Sequence, residues 1–342
     1  MDGSIAAVRD RSAWLAADHR DDQQVEPAWL YRLTAGDLEE IATAVAAVRA
    51  RSLVPPNFDA VDFAIPTFGR TLARFARELE HGRGFFLLRG IPVDKYDLDT
   101  VKTIYWGIGV HLGVPVFQNT RGELMTHVAD QGDDYGDINT RLYTTAAAAN
   151  PHNDPSDVVG LLCMREAVEG GRSMIASAMS IYNRVVAEHP EYLPILHKGF
   201  PHDLRGEGTT RALDETTPDI PVFSEHAGKV SCCLNSKSSR TARDKQGRPL
   251  SELELEAIRY IEDLAVSPEL CLTMDFQPGD IQFLNNYVTI HTRTAFRDGD
   301  TPDSKRLLLR LWLNLHAGRT LAPGFGDRFN NGSRGGVPAV KS

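Results

Sequence analysis

Apolar residues along this chain recur with two different periods, and the change of period divides it. Near the start, Thr34 and Asp37 form a capping-box pair. Leu38, Ile41, Ala42, Val45 and Val48 follow at spacings of three and four, which predicts a helix with one buried stripe. Pro55, Pro56 and Asn57 break the pattern, and a second helix is predicted from Phe68 to Glu80. The texture then changes. Residues 84–90 read Gly-Phe-Phe-Leu-Leu-Arg-Gly, a short apolar run between glycines that predicts a buried strand. A helix from Leu98 to Leu112 follows. From there to Asn150 the chain is turn-rich, with short strands predicted near Met125 and Leu142. Val158 to Met164 is again strand-like, and Met174 to His189 reads as helical.

A second capping box, Ser251 with Glu254, opens a helix whose buried face is Ile258, Ile261, Leu264 and Ala265, with Pro268 as its stop. Leu270–Phe276, Ile281–Leu284 and Leu307–Leu315 are predicted strands. The last segment, from Gly324, is rich in Gly, Asn and Arg and is expected to be loose. Strands therefore flank helical insertions. This predicts a mainly β architecture with flanking helices, a sandwich or jelly roll (double-stranded β-helix), in preference to a βαβ alternation. The expected division is a helical N-terminal extension over 1–80, a jelly-roll domain over 81–320 and a tail over 321–342.

Composition narrows the partners. The 342 residues carry a net charge of -9, which disfavours nucleic acid or an anionic membrane as the main partner. No apolar run approaches the roughly 20 residues that span a bilayer. The first residues lack the apolar centre of a secretory signal. Cys163, Cys232, Cys233 and Cys271 form no C-x-x-C pair, so neither a disulfide framework nor a structural zinc site is expected, and a reducing cytoplasm is the default. No Gly-rich phosphate loop is present, which disfavours a nucleotide-binding fold. A small-molecule substrate remains, and a homo-oligomer is compatible with all of this.

Chemistry enters at residues 150–155, Asn-Pro-His-Asn-Asp-Pro. On an extended segment His152 and Asp154 point to the same face, so an imidazole and a carboxylate can meet one cation. Alone, this is equally a polar loop with turn prolines. Far downstream, a turn at Pro278-Gly279 leads into an apolar strand, then Asn285-Asn286, then His291. Alone, His291 is a core histidine. Together the three make two histidines and one carboxylate with half the metal sphere left open, the facial triad of non-haem Fe(II) oxygenases. Lys305 to Leu313 adds Arg306 and Arg310 within an apolar strand. Buried arginine needs a partner, and its guanidinium fork suits a carboxylate.

Taken together, His152-Asn153-Asp154, then Glu169-Gly170-Gly171-Arg172-Ser173, then His291, Arg306 and Arg310 resemble the TauD/TfdA family of Fe(II)- and 2-oxoglutarate-dependent dioxygenases. The resemblance runs from about Gly84 to Leu315. It implies that His152, Asp154 and His291 ligate iron and serve as the catalytic centre. It implies that Arg306 and Ser173 bind the distal carboxylate of 2-oxoglutarate, with O2 as the other cosubstrate. It places Arg310 near an anionic group of the substrate. Asp157, Asn119, Arg165 and Arg240 are further candidates for the substrate pocket, with a structural turn beside Pro155 an equally good reading of Asp157. Two intervals depart from the family pattern: Asp154 to Ser173 is short, and His291 to Arg306 is long, with Asp298-Gly299-Asp300 as a turn that absorbs the excess. In the family's halogenating members a small residue replaces the carboxylate, so Asp154 implies hydroxylation, desaturation or a related oxidation.

The expected function is therefore oxidation of a small anionic or zwitterionic molecule, such as an amino acid or natural-product intermediate. Release of succinate and carbon dioxide accompanies it. The rivals are a non-catalytic jelly-roll protein that keeps a metal for stability, which has no use for Arg306 and Ser173, and a metal hydrolase, for which the H-E-x-x-H motif is missing. Asp280, Asn285 and Asn286 are candidates for holding the ligands in orientation.

Overall fold

The structure is a computed structural model that describes residues 7–19, 27–133 and 142–339. The first part of the chain gives strand β1 (Leu30–Arg32), helices α1 (Ala35–Ala50) and α2 (Pro66–His81), strand β2 (Phe85–Arg89), helix α3 (Leu98–Leu112) and strands β3 (Gly113–Pro115) and β4 (Met125–Val128). The middle gives β5 (Val158–Arg165), β6 (Glu169–Gly170), β7 (Ser173–Ser177), α4 (Ala178–Glu188), α5 (Leu193–Lys198), β8 (Phe223–His226), β9 (Lys229–Cys232) and α6 (Ser236–Lys245). The last part gives α7 (Glu252–Val266), β10 (Cys271–Met274), β11 (Ile281–Asn285), β12 (Thr289–Arg293), β13 (Phe296–Arg297) and β14 (Leu307–Leu315).

Both capping boxes form. Thr34 and Asp37 close the start of α1, and Ser251 and Glu254 that of α7. Helix α2 begins at Pro66 without a side-chain cap of its own. Instead, the Glu40 carboxylate of α1 accepts from the Thr67 and Phe68 amides, which ties the two helices together.

The jelly roll has two main sheets. The larger runs β1-β2-β11-β5-β14-β3, with β4 also on β14. The smaller is β10-β7-β12. Strand alternation sorts the apolar side chains. Phe86, Leu88, Phe283, Leu309, Leu311 and Leu313 face α1, α2 and α3 on the outside. Phe85, Val159, Leu284 and Trp312 face inward and meet Ile175, Leu272 and Met274 of the smaller sheet. Helices α4, α5 and α7 cover the outer side of that smaller sheet. The functional pocket opens within the inner layer. No helix among the described residues is long and apolar enough to cross a membrane.

Several expectations are corrected. The predicted helix over Met174–His189 is strand β7 followed by α4, with Ser177 as the cap between them. Ser173–Ser177 is the central strand of the smaller sheet, paired on both edges, so tertiary pairing overrides its helical pattern. Leu142 opens a 3-10 turn, Leu142–Thr144, and no strand. Arg306 precedes β14, whose pairing with β5 shifts register between Leu307 and Leu308. The tail is not loose over its described part: Phe325, Phe329 and Val337 are buried, and Gly336 donates to the Pro155 carbonyl. The N-terminal segment is likewise not purely helical, because β1 extends the larger sheet beside β2.

Gly160 of β5 shows how closely the outer layer sits. A Cβ there would lie 2.5 Å from the Tyr105 hydroxyl and 2.9 Å from the Phe283 ring. Gly160→Ala is expected to lower stability by roughly 1–3 kcal/mol, the usual cost of overpacking a filled core. Chemical denaturation measures it, and an unchanged midpoint would mean that α3 shifts outward at no cost.

Candidate metal centre

The three candidate ligands are brought together by backbone pairing. His152 and His291 face each other across an isolated antiparallel bridge, each amide donating to the other's carbonyl at 3.0 Å. His291 sits in β12, and His152 lies on the short segment that leads into β5. That segment is extended without being a full strand, yet the alternation still holds. Asn153 turns away, donating to the Thr289 carbonyl and accepting from the Leu234 amide. Asp154 turns back beside His152. Its amide donates to Asn286 Oδ1 at 3.1 Å, which fixes the segment from the other side.

The side-chain geometry follows. His152 Nε2 lies 4.0 Å from Asp154 Oδ1, and His291 Nε2 lies 3.9 Å from Asp154 Oδ2. One ligand atom from each residue falls within 4.8 Å of the others. His152 Nδ1 lies 2.8 Å from the Asn150 carbonyl, a contact in which Nδ1–H donates and Nε2 keeps its lone pair toward the centre. Burial, reinforced by His152 and Arg310 and opposed by Asp154, pushes the His291 pKa down to about 3, so its imidazole is neutral. Burial would raise the Asp154 carboxyl. Arg310, His291, His152 and the Trp312 hydrogen bond outweigh it and hold the carboxyl below its usual range. A neutral His291 and an ionised Asp154 are the protonation states that bind a divalent metal, so this donor set fits one iron.

A second group lines the same cavity. Arg306 is 4% exposed, and its Nη1 is buried without a hydrogen-bond partner. It makes no ion pair with another described residue. Burial lowers its pKa to about 10, and its guanidinium lies 5.1 Å from the centre of the Phe296 ring. Gly171, with φ of +71°, leaves room for it: a Cβ there would come 3.0 Å from Arg306 Nε. The extra turn before it has a local use, since Asp298 Oδ1 accepts from the Arg306 amide. Ser173 Oγ is also at the cavity and donates to Gln282 Oε1 at 3.0 Å. A buried guanidinium with unspent donors beside a hydroxyl is suited to a carboxylate ligand. That fits 2-oxoglutarate.

A sequence profile of the Taurine catabolism dioxygenase TauD, TfdA family matches residues 50–312, most of the chain. The chain belongs to this family. As a TauD/TfdA member it is an Fe(II)- and 2-oxoglutarate-dependent dioxygenase. It is 33% identical over 323 residues to FR-33289 synthase of Streptomyces rubellomurinus (strain ATCC 31215), covering 91% of each chain. It is 26% identical over 325 residues to taurine hydroxylase-like protein SAT17 of Stachybotrys chartarum (strain CBS 109288 / IBT 7711), covering 89% of this chain and 79% of that one. Its fold is similar to asparagine oxygenase in complex with Fe(II), 2S,3S-3-hydroxyasparagine and succinate, with a TM-score of 0.65 at 17% identity over 84% of this chain and 93% of the other. The non-heme iron oxygenase OrfP with Fe and alpha-ketoglutaric acid gives a TM-score of 0.59 at 15% identity over 83% and 94%.

The remaining candidates of this TauD/TfdA chain separate cleanly. Arg310 lines the cavity, donates from Nε to Gln118 Oε1 at 2.7 Å and lies over the Trp312 and Tyr143 rings. Asp157, Asn119, Arg165 and Arg240 do not line it. Asn119 closes a turn with the Arg121 amide and the Glu123 carboxylate. Arg165 donates to the Lys305 carbonyl, and exposed Arg240 pairs with Glu262 on the surface. Cys232 and Cys233 are buried and free. Asp280 is buried outside the cavity in a two-point pair with Arg89. Trp312, Gln282, Tyr143, Arg205 and Lys237 escaped the sequence reading. Trp312 was readable, because it alternates with Arg310 on one strand. The others come from separate elements with no common spacing.

Asp157 is a structural anchor. It accepts from the Tyr287 hydroxyl, the Leu315 amide and Arg334 Nε, joining β14 to the tail. Asp157→Ala is expected to cost about 3 kcal/mol, as for a broken buried ion pair, read by denaturant unfolding. A selective rise in KM with stability intact would return Asp157 to the substrate pocket.

Proposed function

We propose that His152, Asp154 and His291 hold the iron, that Arg306 and Ser173 bind the distal carboxylate of 2-oxoglutarate, and that the chain hydroxylates a small anionic or zwitterionic substrate near Arg310. The observation that carries this reading is Arg306, a buried cation with an unpartnered nitrogen on the cavity that also holds the three ligands. A metal-binding protein without catalysis has no use for that cation. Bound there, Fe(II) with 2-oxoglutarate and O2 supplies a two-electron oxidant. That oxidation would deliver one oxygen atom of O2 to the substrate and the other to succinate, with release of carbon dioxide.

The chain's own residues do the rest. Trp312 Nε1 donates to Asp154 Oδ2 at 2.9 Å and fixes how the carboxylate is turned. Gln282 holds the Ser173 hydroxyl. Leu161, Phe276 and Leu308 line the same cavity as Arg306, and such an apolar lining would strengthen its pairing with a carboxylate. Asp154 keeps the carboxylate that the family's halogenating members replace with a small residue, which supports hydroxylation over halogenation. Two structural relatives carry asparagine-derived and arginine-derived ligands, which supports an amino acid or similar zwitterion as the substrate class.

Two measurements test the reading. Anaerobic Fe(II) with 2-oxoglutarate should give a weak visible charge-transfer band in the wild type and none in His152→Ala. Absence of the band in the wild type, with no succinate formed in air across a panel of amino acids, would sink the proposal. Arg306→Ala should weaken 2-oxoglutarate binding by roughly a hundredfold, the value of a two-point charged contact, while iron affinity is unchanged. Equal loss of both would make Arg306 a folding residue instead.

A further inference from the structure

Asp154 is the one carboxylate among the three candidate ligands, and the main chain around it is gripped from two sides. One grip comes from the turn between β11 and β12. Asn286 Oδ1 accepts from the Asp154 amide, Asn286 Nδ2 donates to the Ser156 carbonyl, and the Asn286 amide donates to the Asp157 carbonyl. The other grip comes from residues 324–337, far along the chain. Arg328 Nη1 donates to the Asp154 carbonyl at 3.4 Å, the Gly336 amide donates to the Pro155 carbonyl at 2.9 Å, and Arg334 Nε donates to Asp157 Oδ1 at 2.7 Å. The approach is close. A Cβ on Gly335, whose φ is +69°, would lie 2.9 Å from the Pro155 carbonyl oxygen and 3.1 Å from Ser156 Cα.

Arg328 differs from the other members of this second grip. It is 5% exposed, its Nη2 is buried without a hydrogen-bond partner, and no acid among the described residues pairs with it. Arg334 has Asp157 as its counter-charge, so the fold accounts for it. Arg328 is not among the residues that line the cavity, so neither the cosubstrate nor the substrate accounts for its charge. An unpaired buried cation is costly, and an apolar side chain often fills such a place without loss of stability. What the side chain is spent on is the carbonyl of a candidate metal ligand.

We propose that Arg328 is a positioning residue of the metal centre. By holding the Asp154 carbonyl, while Gly336 and Arg334 hold the residues that follow, it fixes the direction in which the carboxylate points. The proposal rests on the reading that His152, Asp154 and His291 hold the iron. Asp154 is then tied at its amide by Asn286, at its carbonyl by Arg328 and at Oδ2 by Trp312. A ligand held in place before the metal arrives binds it more tightly. Such coupling is reciprocal: if docking of residues 324–337 raises iron affinity, iron stabilises the docked segment by the same factor.

The test uses the full-length protein under anaerobic conditions. Arg328→Met should weaken Fe(II) binding by roughly tenfold, the worth of one hydrogen bond from a charged donor, read by competition with a chelating dye. The denaturation midpoint should not fall, and 2-oxoglutarate affinity at saturating Fe(II) should be unchanged. Arg328→Lys, which keeps a charged donor, should recover most of the iron affinity. In the wild type, Fe(II) with 2-oxoglutarate should slow hydrogen exchange of the Gly336 and Val337 amides, and the slowing should shrink in Arg328→Met. Unchanged iron affinity in Arg328→Met overturns the proposal. So does a fall in the midpoint with iron affinity that Lys does not restore, which is the mark of a folding residue. Exchange that is unaffected by iron, or slowed equally in both proteins, overturns it as well. The charge-transfer band separates this claim from the one beneath it: its absence in the wild type overturns the metal reading itself, whereas its presence with any of those results overturns the role of Arg328 alone.

Discussion

The site depends on one pair of backbone hydrogen bonds, those exchanged between His152 and His291. They fasten the segment entering β5 of the larger sheet to β12 of the smaller one. Once that register is set, alternation decides the rest: His152 and Asp154 face the cavity, and Asn153 faces away and is spent on holding Leu234 and Thr289. The backbone positions of the three candidate ligands are thus fixed by main chain. Two of the side chains are also held, His152 by the Asn150 carbonyl and Asp154 by Trp312, which would reduce the conformational entropy lost on binding a metal. A slip of one residue would send both His152 and Asp154 outward and bring Asn153 in.

Buried polar groups around this pair divide into two sets. One set faces the cavity and includes donors that the protein leaves unspent, such as Arg306 Nη1 and Arg310 Nη2. The other set lies just behind it and spends its donors and acceptors on the fold. Asp157, Asn286 and Asp280 belong here. Asp280 is fully buried and takes a two-point contact from Arg89, which joins β11 to β2. The tail joins this second set. Arg334 pairs with Asp157, Arg328 approaches the Asp154 carbonyl at 3.4 Å, and Gly336 caps Pro155. The family match stops at residue 312, so this clamp on the ligand segment comes from outside it.

Much of this was legible in the sequence, for identifiable reasons. Capping boxes are local, and both predicted ones formed. Strands such as β2 and β11, buried on both faces, announce themselves as apolar runs between turn residues. The triad candidates were legible because ligand spacing on an extended segment is a two-residue rule. Long-range pairing is not local, and the misreadings cluster there. Met174, Ile175 and Ala176 look helical until two neighbouring strands claim them. Asp157 read as a structural turn at least as well as pocket chemistry, but nothing in its vicinity announces its partner Arg334, far along the chain. The tail looked loose because its apolar anchors, Phe325, Phe329 and Val337, are single residues separated by glycine and arginine. Such isolated anchors have no period to detect.

The unspent guanidinium groups carry a thermodynamic consequence. Desolvating a cation costs several kcal/mol, of which pairing returns a part. Neighbouring acids return that part for Arg89 and Arg334 during folding. Arg306 has no such acid among the described residues, so the protein folds with that cost still standing, and on the proposed reading the return would come from the carboxylate of 2-oxoglutarate. The binding free energy of the cosubstrate and the stability of the folded chain are then one linked quantity, because a ligand that binds only the folded state stabilises it by mass action. Replacing Arg306 with an apolar residue would ease folding and remove the reason for binding. The proposed ligand would therefore account for a costly cation in the apolar interior, where the fold alone does not.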